Sequence, residues 1–300
     1  MKLLFVVNPI SGGIDKEPFL KKAVDICQYY GIDYRIFKTT GKNDKENVQA
    51  IVTEYHPDKV ASVGGDGTTL FTGLSLLNYK IPMGIVPFGS ANGMATDLYV
   101  NPDPVLALKD IIMSNLIGDL GLIVVNDQYH CLHIGDVGIN AAVVASYAKD
   151  PNRGMITYAK YFIEQLNSIE PFDYKITCED RTVTGTSIMV GICNGRKFGT
   201  GVPLNLTGNP FDDKFELVII ETINAFTLMK AGLSRFDESF IDSQNGDVIS
   251  AREAIINFKK PRLLQLDGEV IGKFETLKIK LIPGAIRLLT HLGNKYMKNT

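Results

Sequence analysis

Tryptophan is absent from the 300 residues, and that absence alone excludes nothing. Other absences are more informative. The 4 cysteines, Cys27, Cys131, Cys178 and Cys193, include no C-x-x-C pair. This spacing argues against a zinc site or a disulfide framework and fits a reducing, cytoplasmic setting. No apolar run approaches the roughly 20 residues of a membrane span. The opening residues 1–7 are apolar but too short for the core of a signal sequence, and Asn8-Pro9 ends them. Basic charge is not in excess. With 31 Lys+Arg against 33 Asp+Glu the net charge is −2, so no global field draws nucleic acid. There is no G-x-x-x-x-G-K-[ST] run, and therefore no P-loop lysine. Linkers rich in glycine, serine or proline are missing, as are internal repeats and low-complexity segments, which predicts closely docked domains.

What is present is an ordinary globular composition, 45% hydrophobic and 21% charged, in a chain long enough for one large domain or two. Its organising stretch is Gly64-Gly65-Asp66-Gly67-Thr68. A short β-branched run, residues 59–63, precedes it and reads as a buried strand. Leu70, Phe71, Leu74 and Leu77 follow on one helical face, which predicts a helix from Thr69. A glycine-rich turn between strand and helix brings free N–H groups and positive dipole to one spot, which suits phosphate. Asp66 would repel phosphate without a cation beside it. Cradle and acid together point to a nucleotide with Mg²⁺.

Two similar turns flank this one in sequence. Asn8-Pro9-Ile10-Ser11-Gly12-Gly13 follows an apolar strand, and Pro87-Phe88-Gly89-Ser90-Ala91-Asn92-Gly93 follows the strand of residues 83–86. Strands alternate with helices through this half, which predicts a doubly wound, mostly parallel α/β sheet. Ligands of such sheets bind outside the carboxyl ends of the strands, where all three turns and Thr39-Thr40 fall. After about residue 120 the pattern changes to strands at residues 120–126, 128–134, 172–178, 182–193, 215–221, 247–258, 262–266, 277–282 and 285–290. Helical stretches interrupt them at residues 140–148 and 155–169. The expected division is a nucleotide domain, residues 1–121, and an antiparallel β-sandwich, residues 122–300, whose last segment packs back on the first. A cleft between domains is the default binding site.

In this order, Asn8-Pro9-x-Ser11-Gly12, Gly64-Gly65-Asp66-Gly67-Thr68 and Pro87-x-Gly89-Ser90-x-Asn92 resemble the diacylglycerol kinase catalytic domain. Arg153-Gly154-Met155 through Tyr158, Asn194-Gly195-Arg196-Lys197-Phe198-Gly199, Asp212-Asp213 and Asp267-Gly268-Glu269 continue the match. The nearest likeness is to soluble bacterial lipid kinases, with sphingosine and ceramide kinases as cousins. The resemblance implies a phosphofructokinase-like first domain and ATP-dependent phosphorylation of a lipid hydroxyl, with diacylglycerol giving phosphatidate. It implies that Asn8, Pro9, Ile10, Ser11, Gly12, Thr39, Thr40, Gly64, Gly65, Asp66, Gly67, Thr68, Thr69, Leu70, Ser90 and Asn92 hold the nucleotide.

Asp66, Asp267 and Glu269 form the catalytic set implied, with Asp119 as a further acid. Glu269 is preferred as the base for the lipid hydroxyl and Asp267 as its support, although two carboxylates flanking a glycine leave that choice open. A structural Mg²⁺ loop is implied at Asp213 with the carbonyls of Pro210 and Phe215. Two departures stand against the pattern: Gly93 where the bacterial kinases carry an aspartate, and Lys214 where they carry glycine. Gly93 favours a sphingoid-base or ceramide kinase as the alternative. Gly93 and Lys214 together favour a catalytically weak nucleotide- or lipid-binding protein. Asp97, one helical turn beyond Gly93, is a candidate replacement. The partners expected are ATP and a lipid met at the membrane surface during catalysis, with a homodimer as a further expectation and no nucleic acid.

Overall fold

The computed structural model describes residues 1–150, 155–166, 168–179, 181–197, 204–205, 208–222 and 247–299. Two compact units divide the chain: Met1–Leu120 with Gly284–Thr300, and Gly121–Pro283.

The first unit is α/β. Strands β1 (Lys2–Val7), β2 (Asp33–Lys38), β3 (Lys59–Gly64) and β4 (Met83–Pro87) are parallel in the order β4-β3-β1-β2. Five helices alternate with or follow them: α1 (Glu17–Tyr29), α2 (Asp44–Tyr55), α3 (Asp66–Leu76), α4 (Gly93–Asp97) and α5 (Pro104–Met113). β1 and β3 are buried on both faces, which explains why they read as unbroken apolar runs. Leu3, Phe5 and Val7 share one core with Phe19, Leu20 and Cys27 of α1 and Leu108 and Ile111 of α5. At the start of α5, Pro104 opens the helix and Asp103 accepts from the N–H groups of Val105 and Leu106 at 2.8 and 2.9 Å. Its other end is held by buried Lys59, whose Nζ donates to the carbonyls of Ile111, Ile112 and Ser114.

The second unit is antiparallel. Its described strands are β5 (Ile117–Val125, starting in the first unit), β6 (Tyr129–Cys131), β7 (Ile134–Gly138), β8 (Phe172–Cys178), β9 (Arg181–Ser187), β10 (Met189–Cys193), β11 (Phe215–Ile220), β12 (Asp247–Ala251), β13 (Glu253–Leu266) and β14 (Glu269–Leu289). They run β12-β11-β10-β7-β13-β14, with β8 and β9 attached through β13. Helices α6 (Ile139–Tyr147) and α7 (Met155–Leu166) interrupt them. One apolar cluster, including Val137, Ile176, Ile192, Phe215, Leu217, Ile256 and Leu277, fills the sandwich.

Three differences from the sequence reading have physical causes. Residues 182–193 form two strands, broken at Ile188, because β9 pairs with β8 while β10 pairs with β7 and β11. Residues 247–266 split at Arg252 into β12 and β13, and β13 runs straight through Pro261 by means of a bulge between Asn257 and Arg262. The two expected strands at residues 277–290 are one, β14, which carries the chain from the second unit into the first.

The returning segment completes the first unit. Leu288 on β14 pairs with Met83 of β4 in parallel. Ser114 Oγ donates to the Thr290 carbonyl at 2.5 Å, and the Thr290 N–H to Leu116 at 3.0 Å. Tyr296 is buried, and its hydroxyl donates to Asp97 Oδ1 at 2.9 Å. Tyr296→Phe should therefore lower unfolding free energy by about 1 kcal/mol, read from the urea midpoint at unchanged slope.

Candidate functional site

The three glycine turns meet in the first unit, backbone against backbone. A Cβ on Gly12 would lie 2.5 Å from the Phe88 carbonyl oxygen, and one on Gly89 would lie 2.4 Å from Gly65 Cα. Phe88 N–H donates to Gly64 O at 2.7 Å, and Asn8 N–H to Val63 O at 3.0 Å. Only glycine permits that separation. Asn92, with φ +50°, closes its own turn: its Oδ1 accepts from Gly89 N–H at 2.7 Å and its Nδ2 donates to Gly89 O at 3.0 Å.

The helix begins earlier than its apolar face suggested. α3 starts at Asp66, so Gly64-Gly65 is the turn and Asp66-Gly67-Thr68 is the first helical turn. The N–H groups of that turn have no partner within the helix. Space is open over Gly67, where a Cβ would meet nothing within 4 Å. Thr68 and Thr69 are buried, and Thr69 Oγ1 bonds back to Gly65 O at 3.2 Å. Leu70 is half-buried and Ser90 exposed.

Asp66 has a second task that the sequence did not reveal. Its Oδ2 accepts from Gly93 N–H and its Oδ1 from Met94 N–H, each at 2.9 Å. The carboxylate therefore caps α4, and Gly93 contributes a backbone donor. Asp97 does not replace the missing acid at Gly93, because it is buried and bonded to Tyr296.

The Asn8–Gly13 turn is supported from beneath by Lys16, which sequence reasoning missed. Lys16 is 3% exposed, and its ammonium donates to the carbonyls of Pro9, Ser11 and Ile14 beside the Phe88 ring. Burial lowers its pKa. Those carbonyls turn inward onto Lys16, while the N–H groups of Ile10, Ser11 and Gly13 close the turn on Asn8 and Ile10. Ile10 is 83% exposed at its tip. Thr39 N–H bonds to Val7 O at 2.8 Å. Thr40 is tied to Asp44 through its N–H and its hydroxyl. Slight burial would raise the Asp44 pKa, but the donors from Thr40 and Gly41 outweigh it and lower it.

In the second unit, Asp267 and Glu269 differ sharply. Asp267 occupies the turn between β13 and β14 with φ +48°. Its carboxylate accepts from the N–H groups of Leu132, His133 and Ile134 at 2.8, 2.9 and 3.2 Å and from the Cys131 thiol. Burial pushes its pKa up against those donors. Glu269 is exposed, and its carboxylate has no hydrogen-bond or ion-pair partner among the described residues. Asp119, on β5, is exposed as well.

The Asp213 loop is not arranged as a cation site. The Asp213 carboxylate is paired with Arg252, and the Pro210 carbonyl accepts from Gly121 N–H at 2.9 Å. Phe215 opens β11 and pairs with Ala251. No cluster of three or more His, Cys, Asp or Glu side chains suited to a metal occurs among the described residues. Arg153, Gly154, Phe198 and Gly199 lie outside the described residues.

An α/β unit with an open, glycine-built helix start, followed by an antiparallel sandwich, is the arrangement of a known two-domain family. Residues 2–119 match the diacylglycerol kinase catalytic domain, and residues 135–290 match the YegS C-terminal NAD kinase beta sandwich-like domain. The chain belongs to the lipid-kinase family built from these two domains. It is 28% identical over 245 residues to a Staphylococcus haemolyticus protein called "Putative lipid kinase", covering 79% of this chain and 78% of that one. It is 24% identical over 286 residues, 93% of each, to a Klebsiella pneumoniae protein called "Probable lipid kinase YegS-like". A solved Bacillus anthracis structure described as a "putative diacylglycerol kinase" shares the fold, with TM-score 0.77, 22% identity and 98% of both chains covered. Kinase-family membership implies use of a nucleotide.

Gly67→Ala separates ligand contact from folding. Its Cβ enters open space, so the melting temperature should hold while nucleotide Kd rises about tenfold, ~1.4 kcal/mol, by titration calorimetry. Arg252 should keep Asp213 occupied, so Mn²⁺-soaked crystals should show no anomalous peak there.

Proposed function

We propose that the chain transfers the γ-phosphoryl group of ATP to a lipid hydroxyl, with diacylglycerol as the preferred acceptor and phosphatidate as product. The observation that carries this reading is the open first turn of α3, framed by two further glycine turns in contact with it. ATP would supply the phosphoryl group, and Mg²⁺ held with it would neutralise charge there. Gly67 and Thr68 offer N–H donors to phosphate oxygens, and the exposed Ser90 is a further hydroxyl donor. Asp66 retains lone pairs beyond the two N–H groups it caps, so it fits as an anchor for nucleotide-borne Mg²⁺, which needs few protein ligands. Asp213, paired with Arg252, does not fit a resident cation, and no step is assigned to it.

Glu269 is the residue suited to accept the hydroxyl proton, because its carboxylate is free while that of Asp267 is fully engaged by donors. Asp267 supports the turn that presents it. No helix among the described residues is long and apolar enough to cross a membrane. The lipid would then be met at a membrane surface, from the cytoplasmic side expected of four unpaired cysteines.

Glu269→Gln should lower kcat by at least about 10²-fold with nucleotide Kd unchanged, measured with radiolabelled ATP in mixed micelles. An active Glu269→Gln enzyme sinks the assignment. The buried backbone of Gly93 in place of an acid favours a sphingoid base or ceramide as the second reading. Including sphingosine, ceramide and NAD beside diacylglycerol separates the acceptors, and phosphorylation of NAD alone would overturn the lipid reading.

A further inference from the structure

A buried carboxylate outside the proposed catalytic set joins three parts of the second unit. Asp136 lies on β7 and is fully buried. Its Oδ2 accepts from Asn140 Nδ2 at 2.5 Å and from Gln265 Nε2, and its Oδ1 accepts from Ala141 N–H at 2.8 Å. Gln265 Oε1 in turn accepts from Gly268 N–H at 2.9 Å. Gly268 is the residue between Asp267 and Glu269. In the other direction, the Tyr158 hydroxyl of α7 donates to Asn140 Oδ1. A hydrogen-bond chain therefore runs from Gly268 through Gln265, Asp136 and Asn140 to Tyr158.

With Asp136 ionised, the bonds run in one set of directions. Three donors converge on Asp136, and only an ionised carboxylate is acceptor-only. Turning Gln265 over would aim its NH₂ at the Gly268 N–H. Turning Asn140 over would set its oxygen against the carboxylate.

We propose that Asp136 is a positioning residue: through Gln265 it holds the turn that presents Glu269, and through Asn140 it ties that turn to Tyr158 on α7. The consequence for catalysis rests on the reading of Glu269 as the base. The arrangement has an energetic signature. Burial raises the Asp136 pKa to about 6, although Asn140, Gln265 and Ala141 all favour its charge. The titratable groups facing it are Tyr158, whose pKa burial and the Asp136 charge raise, and Tyr147, in edge contact with the Tyr158 ring at 5.7 Å. None of the groups acting on it is cationic.

A carboxyl whose folded-state pKa is raised contributes stability at low pH that is lost as pH rises through that pKa. For Asp136 this window lies between the ordinary carboxylate range and about pH 6. Glu216, raised to about 7 by burial first and by Asp212 second, acts in the same direction. Positioning through these bonds uses the ionised form, since a proton on Asp136 would make it a donor toward Asn140 or Gln265 and reorganise the chain. Between pH 7 and 5, turnover should fall while the contribution of these two groups to stability rises. Acid unfolding would move both downward.

The test uses the full chain as wild type, Asp136→Asn, and Asp136→Asn with Gln265→Glu. It measures kcat on diacylglycerol micelles against pH, melting temperature, and amide exchange of the Asp267–Glu269 turn and α7. For Asp136→Asn we expect kcat at neutral pH to fall about tenfold or more, with the acid limb near pH 6 removed. Nucleotide Kd and melting temperature should hold, while the Gly268 and α7 amides exchange faster. In the double variant the carboxylate introduced at position 265 accepts from the side-chain amide introduced at position 136 and from the Gly268 N–H, so turnover and protection should return in part. Wild-type protection and an unchanged pH profile in Asp136→Asn overturn the proposal. So does a loss of turnover that tracks a lower melting temperature and is not restored by Gln265→Glu. If Asp136→Asn does not fold, exchange of the Gly268 and α7 amides in wild type across pH 6, corrected for intrinsic rate, decides: increased opening below pH 6 supports the proposal and constant opening refutes it. A wild type inactive on every lipid defeats the kinase reading, and the exchange comparison still decides the role of Asp136.

Discussion

The candidate nucleotide site depends on one steric fact: Gly65 and Gly89 touch through their backbones. A Cβ on either would fall within 3 Å of the other's Cα. That approach sets the turn after β4 against the turn after β3. It lets the Asp66 carboxylate reach the N–H groups of Gly93 and Met94, which orients α4. The same turn after β4 receives Gly12 at the Phe88 carbonyl. Three loops from separate strands thus become one rigid surface without any side chain filling the joint. Rigidity matters here, because phosphoryl transfer relies on positioning and charge neutralisation rather than on covalent assistance.

Much of this was legible in the sequence. Apolar runs ending in glycine turns announced the parallel sheet, and the change to dense strands after residue 120 announced the sandwich. Less legible was anything that depended on partners far along the chain. Asp66, proposed as a site acid, is also a helix cap, and nothing in Gly64-Gly65-Asp66-Gly67-Thr68 discloses that Gly93 and Met94 lie above it. Nothing in the sequence sets Lys16 apart, yet the fold buries its ammonium against three carbonyls. Arg252 could not be read as the partner of Asp213, since 39 residues separate them. Sequence spacing reports local geometry well, and long-range ion pairs poorly.

The second unit sorts its carboxylates by solvation. Asp136 and Glu216 are buried and Asp267 is half-buried, each is held by several donors, and burial raises the pKa of each. Glu269 is left exposed beside the most heavily bonded of them. Buried carboxylates fixed by neutral donors seldom add stability, because desolvation offsets the hydrogen bonds. What they provide is directional constraint at the hairpin between β13 and β14 and at the start of α6.

β14 has a consequence for how the protein is made. It leaves the second unit at Pro283 and supplies the edge of the first unit's sheet next to β4. Ser114 waits 176 residues for Thr290. On the ribosome, residues 1–120 emerge long before residues 284–299 that finish their core, and the edge of β4 stays unpaired until the whole sandwich has been synthesised. The first unit is therefore committed to late completion. Any chain that stalls or is clipped after the sandwich leaves a nucleotide platform with an open sheet edge, a species suited to chaperone capture or aggregation rather than to partial activity.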